Sequence, residues 1–127
     1  MRIRGRLAGV VAVLVLSGVT GAWAEGAKSR QVTVTGRVVD NTCFLGMGLK
    51  GEGHRECAIG CEKAGARASL LDEKANVLYI LMADKPFVDP DAKLRDHLEG
   101  IVTIKGNLYE GPGGQKVLAI VEVQAAK

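Results

Sequence analysis

Two segments of the chain alternate between apolar and polar side chains. In the first, Val32, Val34 and Val38 fall on one side, with Thr33 and Thr35 on the other. A second segment, Ile101 to Tyr109, repeats the pattern in similar residues. A period of two residues is typical of a strand with one buried face. Both segments carry a central glycine, which indicates a bend or bulge in each predicted strand.

Three further strands are predicted from short apolar or β-branched runs, namely Ala66 to Leu71, Val77 to Met82 and Lys116 to Val123. The first two are separated by five residues, which suits a hairpin. The last follows a turn rich in glycine around Pro112.

Helices are predicted at two places between these strands. A glycine-rich connection after the first strand leads into a helix from about His54 to Ala64, and Gly65 provides the stop signal. A second helix is expected after Asp89, which would cap it, with Pro90 at its first position. The first long loop therefore bears a helix, and another helix lies between the third and fourth strands.

This order of elements resembles an OB-fold, a small five-stranded barrel. The resemblance rests on 32–38 and 102–108, which look like the glycine-bearing first and fourth strands of OB-fold proteins, and it spans nearly all of residues 31–127. The fold class expected is therefore mainly β with short helices. The alternative is an immunoglobulin-like sandwich, which needs about seven strands and has no place for the helix at Pro90.

The first 24 residues have the pattern of a cleavable secretory signal. Arginines at 2, 4 and 6 precede an apolar run that extends to about Val19, and the small-residue motif Ala22-Trp23-Ala24 precedes Glu25. The apolar run is shorter than the roughly 20 residues that a membrane span needs. We therefore expect cleavage at about Ala24/Glu25, a flexible lead-in over residues 25–30, and a domain in the periplasm or outside the cell.

Cleavage would leave a domain without net charge. The whole chain has 17 Lys and Arg against 14 Asp and Glu, and the predicted signal holds three of the basic residues and none of the acidic ones. The remaining 14 basic side chains are scattered singly rather than clustered. A nucleic acid partner, which requires a clustered basic face, is not expected.

Three cysteines and a histidine lie within nineteen residues, at Cys43, His54, Cys57 and Cys61. On a helix, positions 54, 57 and 61 share one face, because side chains three and four residues apart are neighbours. The glycine-rich connection would let Cys43, at the end of the first strand, fold over that face. A Cys3His set is a four-coordinate arrangement for zinc, and its thiolates also suit Cu(I). The sequence thus predicts a copper or zinc site.

Other uses of the same cysteines stay open. In an oxidising compartment Cys43 could form a disulfide with Cys57 or Cys61, which leaves one odd thiol. The domain would then be a disulfide-stapled interaction module that recognises a partner or an oligosaccharide on its barrel face. A thiol-redox role is the third alternative, although the chain has no Cys-x-x-Cys motif.

The remaining candidate groups add little chemistry. Met47, in the loop near Cys43, is a possible auxiliary ligand for Cu(I), and His97 lies among charged residues typical of a solvated helix. No nucleophile elbow or phosphate loop is present in the sequence. Whether the chain is an enzyme is left open, and a binding role is favoured.

The segment Cys43-Phe44-Leu45, followed by 51–61 with its His-x2-Cys-x3-Cys spacing, resembles a recurring motif of small exported bacterial proteins of uncharacterised role. The resemblance implies export and joint action of the four side chains, without naming the bound species. The resulting hypothesis is a periplasmic metal-binding OB-fold module, with the metal ion as its ligand and a periplasmic or membrane protein as a possible partner. Its oligomeric state is not predicted.

Overall fold

Residues 26–126 are described by a computed structural model, in which five strands form a closed barrel. The predicted signal peptide lies outside the described residues. Around the barrel the strands follow the order β1-β2-β3-β5-β4. Their bounds are β1 (Ser29–Asp40), β2 (Ala68–Asp72), β3 (Val77–Ala83), β4 (Ile101–Glu110) and β5 (Lys116–Ala125).

The first strand is long because it serves two neighbours. Its residues Ser29–Arg37 pair antiparallel with β4, and Arg37–Asp40 pair antiparallel with β2. The change of partner brings backbones close together at Gly36, where an added Cβ would lie 2.5 Å from the carbonyl oxygen of Leu71. A side chain there would collide with β2, so glycine lets β1 coil from one neighbour to the next.

The fourth strand has a similar close approach of backbones at Gly106. The register between β4 and β5 shifts between Lys105 and Gly106, which marks a β-bulge. An added Cβ at Gly106 would lie 2.2 Å from the carbonyl oxygen of Ala119. The central glycines of both alternating segments are thus points of close backbone approach.

A parallel pairing of β3 with β5 closes the barrel. The architecture is mainly β and OB-fold-like, which confirms the predicted fold class. It differs from the immunoglobulin-like sandwich that was the alternative. Inward-facing side chains fill the barrel, and the largest fully buried apolar ones are Leu70, Leu94, Ile104, Leu118 and Ile120.

The first long connection carries two α-helices, α1 (Asn41–Met47) and α2 (Arg55–Lys63). The second was expected at about this position, and Gly65 follows its end with a φ of 95°. The first was not expected, since Cys43 was placed at the end of a strand. A 3₁₀ turn, Glu52–His54, leads directly into α2.

The segment between β3 and β4 forms two 3₁₀ turns, Pro90–Lys93 and Arg95–His97, where one helix was predicted. Asp89 caps the first turn as expected, because its carboxylate accepts a hydrogen bond from the Asp91 N–H. Leu94 and Leu98 are both buried against the barrel. None of the helices among residues 26–126 is long and apolar enough to cross a membrane.

Candidate metal centre

Cys43 is held in the first turn of α1 by the residue that ends β1. Asp40 is the N-cap, and its carboxylate accepts hydrogen bonds from the N–H groups of Thr42 at 3.0 Å and Cys43 at 3.2 Å. Both Asp40 and Cys43 are only 2% exposed. Capping by a buried aspartate is a strong local signal for a helix start, so this pairing fixes Cys43 at the barrel rim.

The chain then turns back toward Cys43 through a glycine-rich stretch. Gly48 adopts a left-handed conformation with φ of 70°, and the Leu49 N–H donates to the Cys43 carbonyl. Farther along, the Gly51 carbonyl accepts from the His54 N–H at 2.8 Å. The glycines thus make the reversal that brings His54 over α1, as the sequence indicated.

Helix α2 contributes the other two cysteines. Ala58 on this helix is fully buried in the barrel core, which sets the face that α2 turns inward. Arg55 ties the start of the helix to the segment before β4, because its guanidinium donates to the carbonyls of Leu98 and Asp96. Cys57 remains exposed, and Cys61 is partly buried.

Cys43 lies at the centre of the cluster. Its Sγ is 3.7 Å from the Sγ of Cys61. Its Sγ also lies in a group with His54 and Cys57 whose ligand atoms are all within 4.8 Å of one another. The structure therefore brings every predicted ligand close to Cys43, in a Cys/His cluster compact enough to bind a metal ion.

Asp40 is a further member that the sequence reasoning missed. A ligand oxygen of Asp40 forms a second group with Cys43 and Cys61, again within 4.8 Å of one another. The signal was present in the sequence, because an aspartate three residues before Cys43 is a candidate N-cap for a helix bearing that cysteine. The four expected side chains and Asp40 make two overlapping groups of three that share Cys43.

His54 faces Asp40 without a hydrogen bond between them. Its Nε2 lies 3.6 Å from the Asp40 Oδ2, which exceeds normal hydrogen-bond length. His54 is 9% exposed, and among the described residues its Nε2 has no hydrogen-bond partner. A buried imidazole nitrogen without a partner is costly, and a bound cation would satisfy it.

The surroundings of Cys43 and Cys61 raise the pKa of both thiols. A hydrogen bond to Asp40, followed by burial and contacts with the other thiols, raises the pKa of Cys43 well above its ordinary value. For Cys61, the hydrogen bond with Cys43 favours the thiolate, but burial and the negative charge of Asp40 outweigh it and raise the pKa. Without a cation these thiols stay protonated, and a metal ion would reverse that balance.

The pKa of Asp40 itself is lowered. Burial alone would raise the pKa of this carboxyl, but hydrogen bonds from the Cys43 thiol and from the backbone N–H groups of Thr42 and Cys43 stabilise the ionised form more strongly. The cluster therefore combines a carboxylate whose pKa is lowered with two thiols whose pKa is raised.

The distances match what soft-metal coordination requires. Zinc binds thiolate sulfur at about 2.3 Å, so two thiolates on one tetrahedral ion are about 3.8 Å apart. The Cys43 and Cys61 sulfurs, at 3.7 Å, already have this spacing. A disulfide would need about 2.05 Å between them. The donor set of thiols and imidazole fits zinc or Cu(I).

The other two candidates of the sequence are Met47 and His97. Met47 is 61% exposed, in contrast to the buried Cys43. His97 ends a 3₁₀ turn on the connection between β3 and β4 and belongs to neither group of ligand atoms. His97 is therefore not part of the candidate centre.

A separate open cavity of about 730 Å³ lies on the barrel beside β1. Its walls include Val34 and Gly36 of β1, the turn Asp72–Ala75 and Tyr79 of β3. The four predicted ligands and Asp40 do not line it. The barrel therefore offers a concave surface away from the cysteine cluster.

Comparison of the chain with protein-family models, with curated proteins and with solved structures found no match. The resemblance to small exported bacterial proteins stays a prediction.

Proposed function

We propose that this protein is an extracytoplasmic soft-metal-binding module, which holds copper or zinc with Cys43, His54, Cys57 and Cys61. The observation that carries the proposal is the position of the Cys43 sulfur, which lies near the sulfurs of Cys57 and Cys61 and the imidazole of His54. The sulfurs of Cys43 and Cys61 are 3.7 Å apart. Removal of residues 1–24 as a signal peptide would deliver the barrel to the periplasm or the medium.

Unequal exposure of the cysteines supports a role in metal transfer or sensing as well as in clamping the loop. Cys43 is buried and Cys57 is exposed, so an incoming ligand would meet Cys57 first. A periplasmic or membrane protein could exchange the ion through that thiolate, since a soft ion passes between thiolate ligands. The rigid part of the site would stay with α1 and β1.

Elemental analysis of the reduced protein after exposure to Zn(II) or Cu(I) tests this function. The two histidines provide a matched pair of variants. His54→Ala removes a proposed ligand, whereas His97→Ala removes a histidine outside the cluster. We expect stoichiometric metal in the wild type and in His97→Ala, with affinity reduced at least tenfold in His54→Ala. Absence of bound metal in the wild type would refute the proposal.

A disulfide between Cys43 and Cys61 is the second candidate, because their sulfurs are already near each other. The protein would then be a stapled interaction domain, and the cavity beside β1 is the surface on which it would bind a partner or oligosaccharide. A redox role would use the remaining exposed Cys57. Alkylation in denaturant and chelator, on protein taken from its native compartment, separates the cases: one reactive thiol supports the staple, and three reactive thiols exclude it and are what the metal site requires.

A further inference from the structure

We propose that the cluster holds two zinc ions bridged by the Cys43 thiolate, with Asp40 as a direct ligand of the second. One ion would be held by Cys43, His54 and Cys57, and the other by Cys43, Asp40 and Cys61. This inference rests on the proposed metal-binding function and extends it, because a single Cys3His site needs neither Asp40 nor a bridge.

The shape of the cluster is the first support. Four ligands on one ion must all lie within about 3.8 Å of one another, given zinc bond lengths of 2.0–2.3 Å. Here the ligand atoms divide into two groups of three, and within residues 26–126 no group of four is equally compact. The groups share only Cys43. An elongated arrangement with one common sulfur matches two ions better than one.

The position of Asp40 is the second support. Its oxygens each accept one backbone hydrogen bond, from Thr42 and from Cys43. A carboxylate oxygen can accept about two such bonds, so the carboxylate keeps capacity beyond its two backbone partners and the Cys43 thiol. No Lys or Arg of the described chain forms an ion pair with Asp40, and the His54 Nε2 lies 3.6 Å from its Oδ2. A buried carboxylate with spare acceptor capacity beside two sulfurs is a ready zinc ligand.

Charge balance is the third support. Three thiolates and the Asp40 carboxylate carry four negative charges, which two Zn²⁺ ions neutralise. A single Zn²⁺ would leave two negative charges around Asp40 and Cys43, both of which are 2% exposed. Uncompensated charge of that kind is strongly unfavourable in a buried site. Zinc is favoured over Cu(I) for the second position because Asp40 supplies a hard oxygen donor.

Native mass spectrometry of the reduced protein with added Zn(II) counts the ions directly. We expect two ions in the wild type, one in Cys57→Ser and one in Cys61→Ser, because each variant disrupts only one group. Cys57 is exposed, so its replacement should not disturb folding. One ion in the wild type would overturn the two-ion inference and leave the proposed function standing. No ion at all would overturn both.

Asp40→Asn removes the charge of the carboxylate, and asparagine is also a favoured N-cap residue. Its single side-chain oxygen keeps one of the two capping hydrogen bonds that Asp40 accepts from Thr42 and Cys43. Asp72→Asn is its matched control. Asp72 caps the β2–β3 turn through the N–H groups of Lys74 and Ala75, both at 3.0 Å, and lies outside both ligand groups. We expect one ion in Asp40→Asn and two in Asp72→Asn. Two ions in a folded Asp40→Asn variant would overturn the assignment of Asp40.

Discussion

The buried carboxylate of Glu99 accepts a hydrogen bond of 2.7 Å from the backbone N–H of Gly51. Glu99 lies just before β4, is fully buried and has a left-handed φ of 62°. Gly51 lies in the loop that leads to His54, and its carbonyl accepts the His54 N–H. This contact attaches the loop with the candidate ligand to the barrel, although the two residues are 48 positions apart in sequence.

Removal of this attachment should weaken both the fold and the site. Glu99→Ala leaves the Gly51 N–H without its acceptor, and loss of a hydrogen bond to a charged group costs roughly 1.5–3 kcal/mol. We expect that decrease in the free energy of unfolding, with metal affinity lowered about tenfold. Glu99→Gln keeps an acceptor oxygen, so its free energy of unfolding and its metal affinity should both fall less than those of Glu99→Ala. Chemical denaturation and metal competition measure the two effects, and equal behaviour of the two variants would argue against the contact.

The glycines of the barrel and of α2 should respond in opposite directions to alanine. Gly106→Ala places a Cβ against the Ala119 carbonyl and should cost about 1–3 kcal/mol through overpacking. Gly60→Ala meets nothing within 4 Å on the α2 surface and should stabilise the helix by about 0.5–1 kcal/mol. Thermal unfolding of the two variants checks the difference. A stable Gly106→Ala protein would contradict the close approach of β4 and β5.

The metal-free, reduced protein should lose stability at alkaline pH. The pKa of Cys43 is raised in the fold, whereas the unfolded thiol titrates near 9.0. A raised thiol pKa contributes stability that is fully present below the unfolded value and is lost as the pH rises above it. Urea unfolding at pH 8 and pH 10 should therefore show a larger loss in the wild type than in Cys43→Ser. Identical losses would mean that Cys43 ionises freely in the fold.

Export can be tested independently of the site. Expressed with its first 24 residues in a bacterial host, the protein should be recovered from the periplasm or medium with Glu25 as its N-terminus. N-terminal sequencing of the fractionated protein measures this. Recovery of a chain that begins at Met1 in the cytoplasm would contradict the signal peptide.

Much of the barrel was predictable because its strands alternate in a simple way. Val34 and Val38 of β1 and Ile104 and Leu108 of β4 are buried as their spacing indicated. Gly36 could be recognised as a special position because glycine inside a strand lowers stability through its greater loss of conformational entropy. Such a glycine often marks a point where another backbone approaches closely. Local periodicity was sufficient in these segments, since each strand has one clear inward face.

Helix α1 and the 3₁₀ turns were not predictable from the same signals. In α1, Gly46 and the short apolar run obscured the helix, although Asp40 and Gly48 mark its two ends. After Asp89, the spacing of Leu94 and Leu98 suits a helix, but these leucines reach the barrel through two separate tight turns. Tertiary contacts decide the conformation of such short connections, and a local sequence pattern does not indicate those contacts.

The sequence predicted the cysteines and the histidine of the candidate site. It did not predict the other residues that surround them. Helical spacing predicted one shared face for His54, Cys57 and Cys61. In the structure His54 and Cys57 belong to one ligand group and Cys61 to the other, and the two groups share Cys43. The approach of Asp40 and the attachment by Glu99 depend on how the first loop folds over the barrel rim. Those contacts join residues distant in sequence, so no local pattern indicates them.

X-ray absorption at the metal edge of the loaded protein identifies the atoms that bind the metal. If the cysteine and histidine side chains bind zinc, the first coordination shell must contain sulfur at about 2.3 Å together with nitrogen or oxygen at about 2.0–2.1 Å. The same sulfur signal should weaken in Cys57→Ser. A first shell of oxygen and nitrogen without sulfur would contradict the account, because the metal would then be bound away from Cys43.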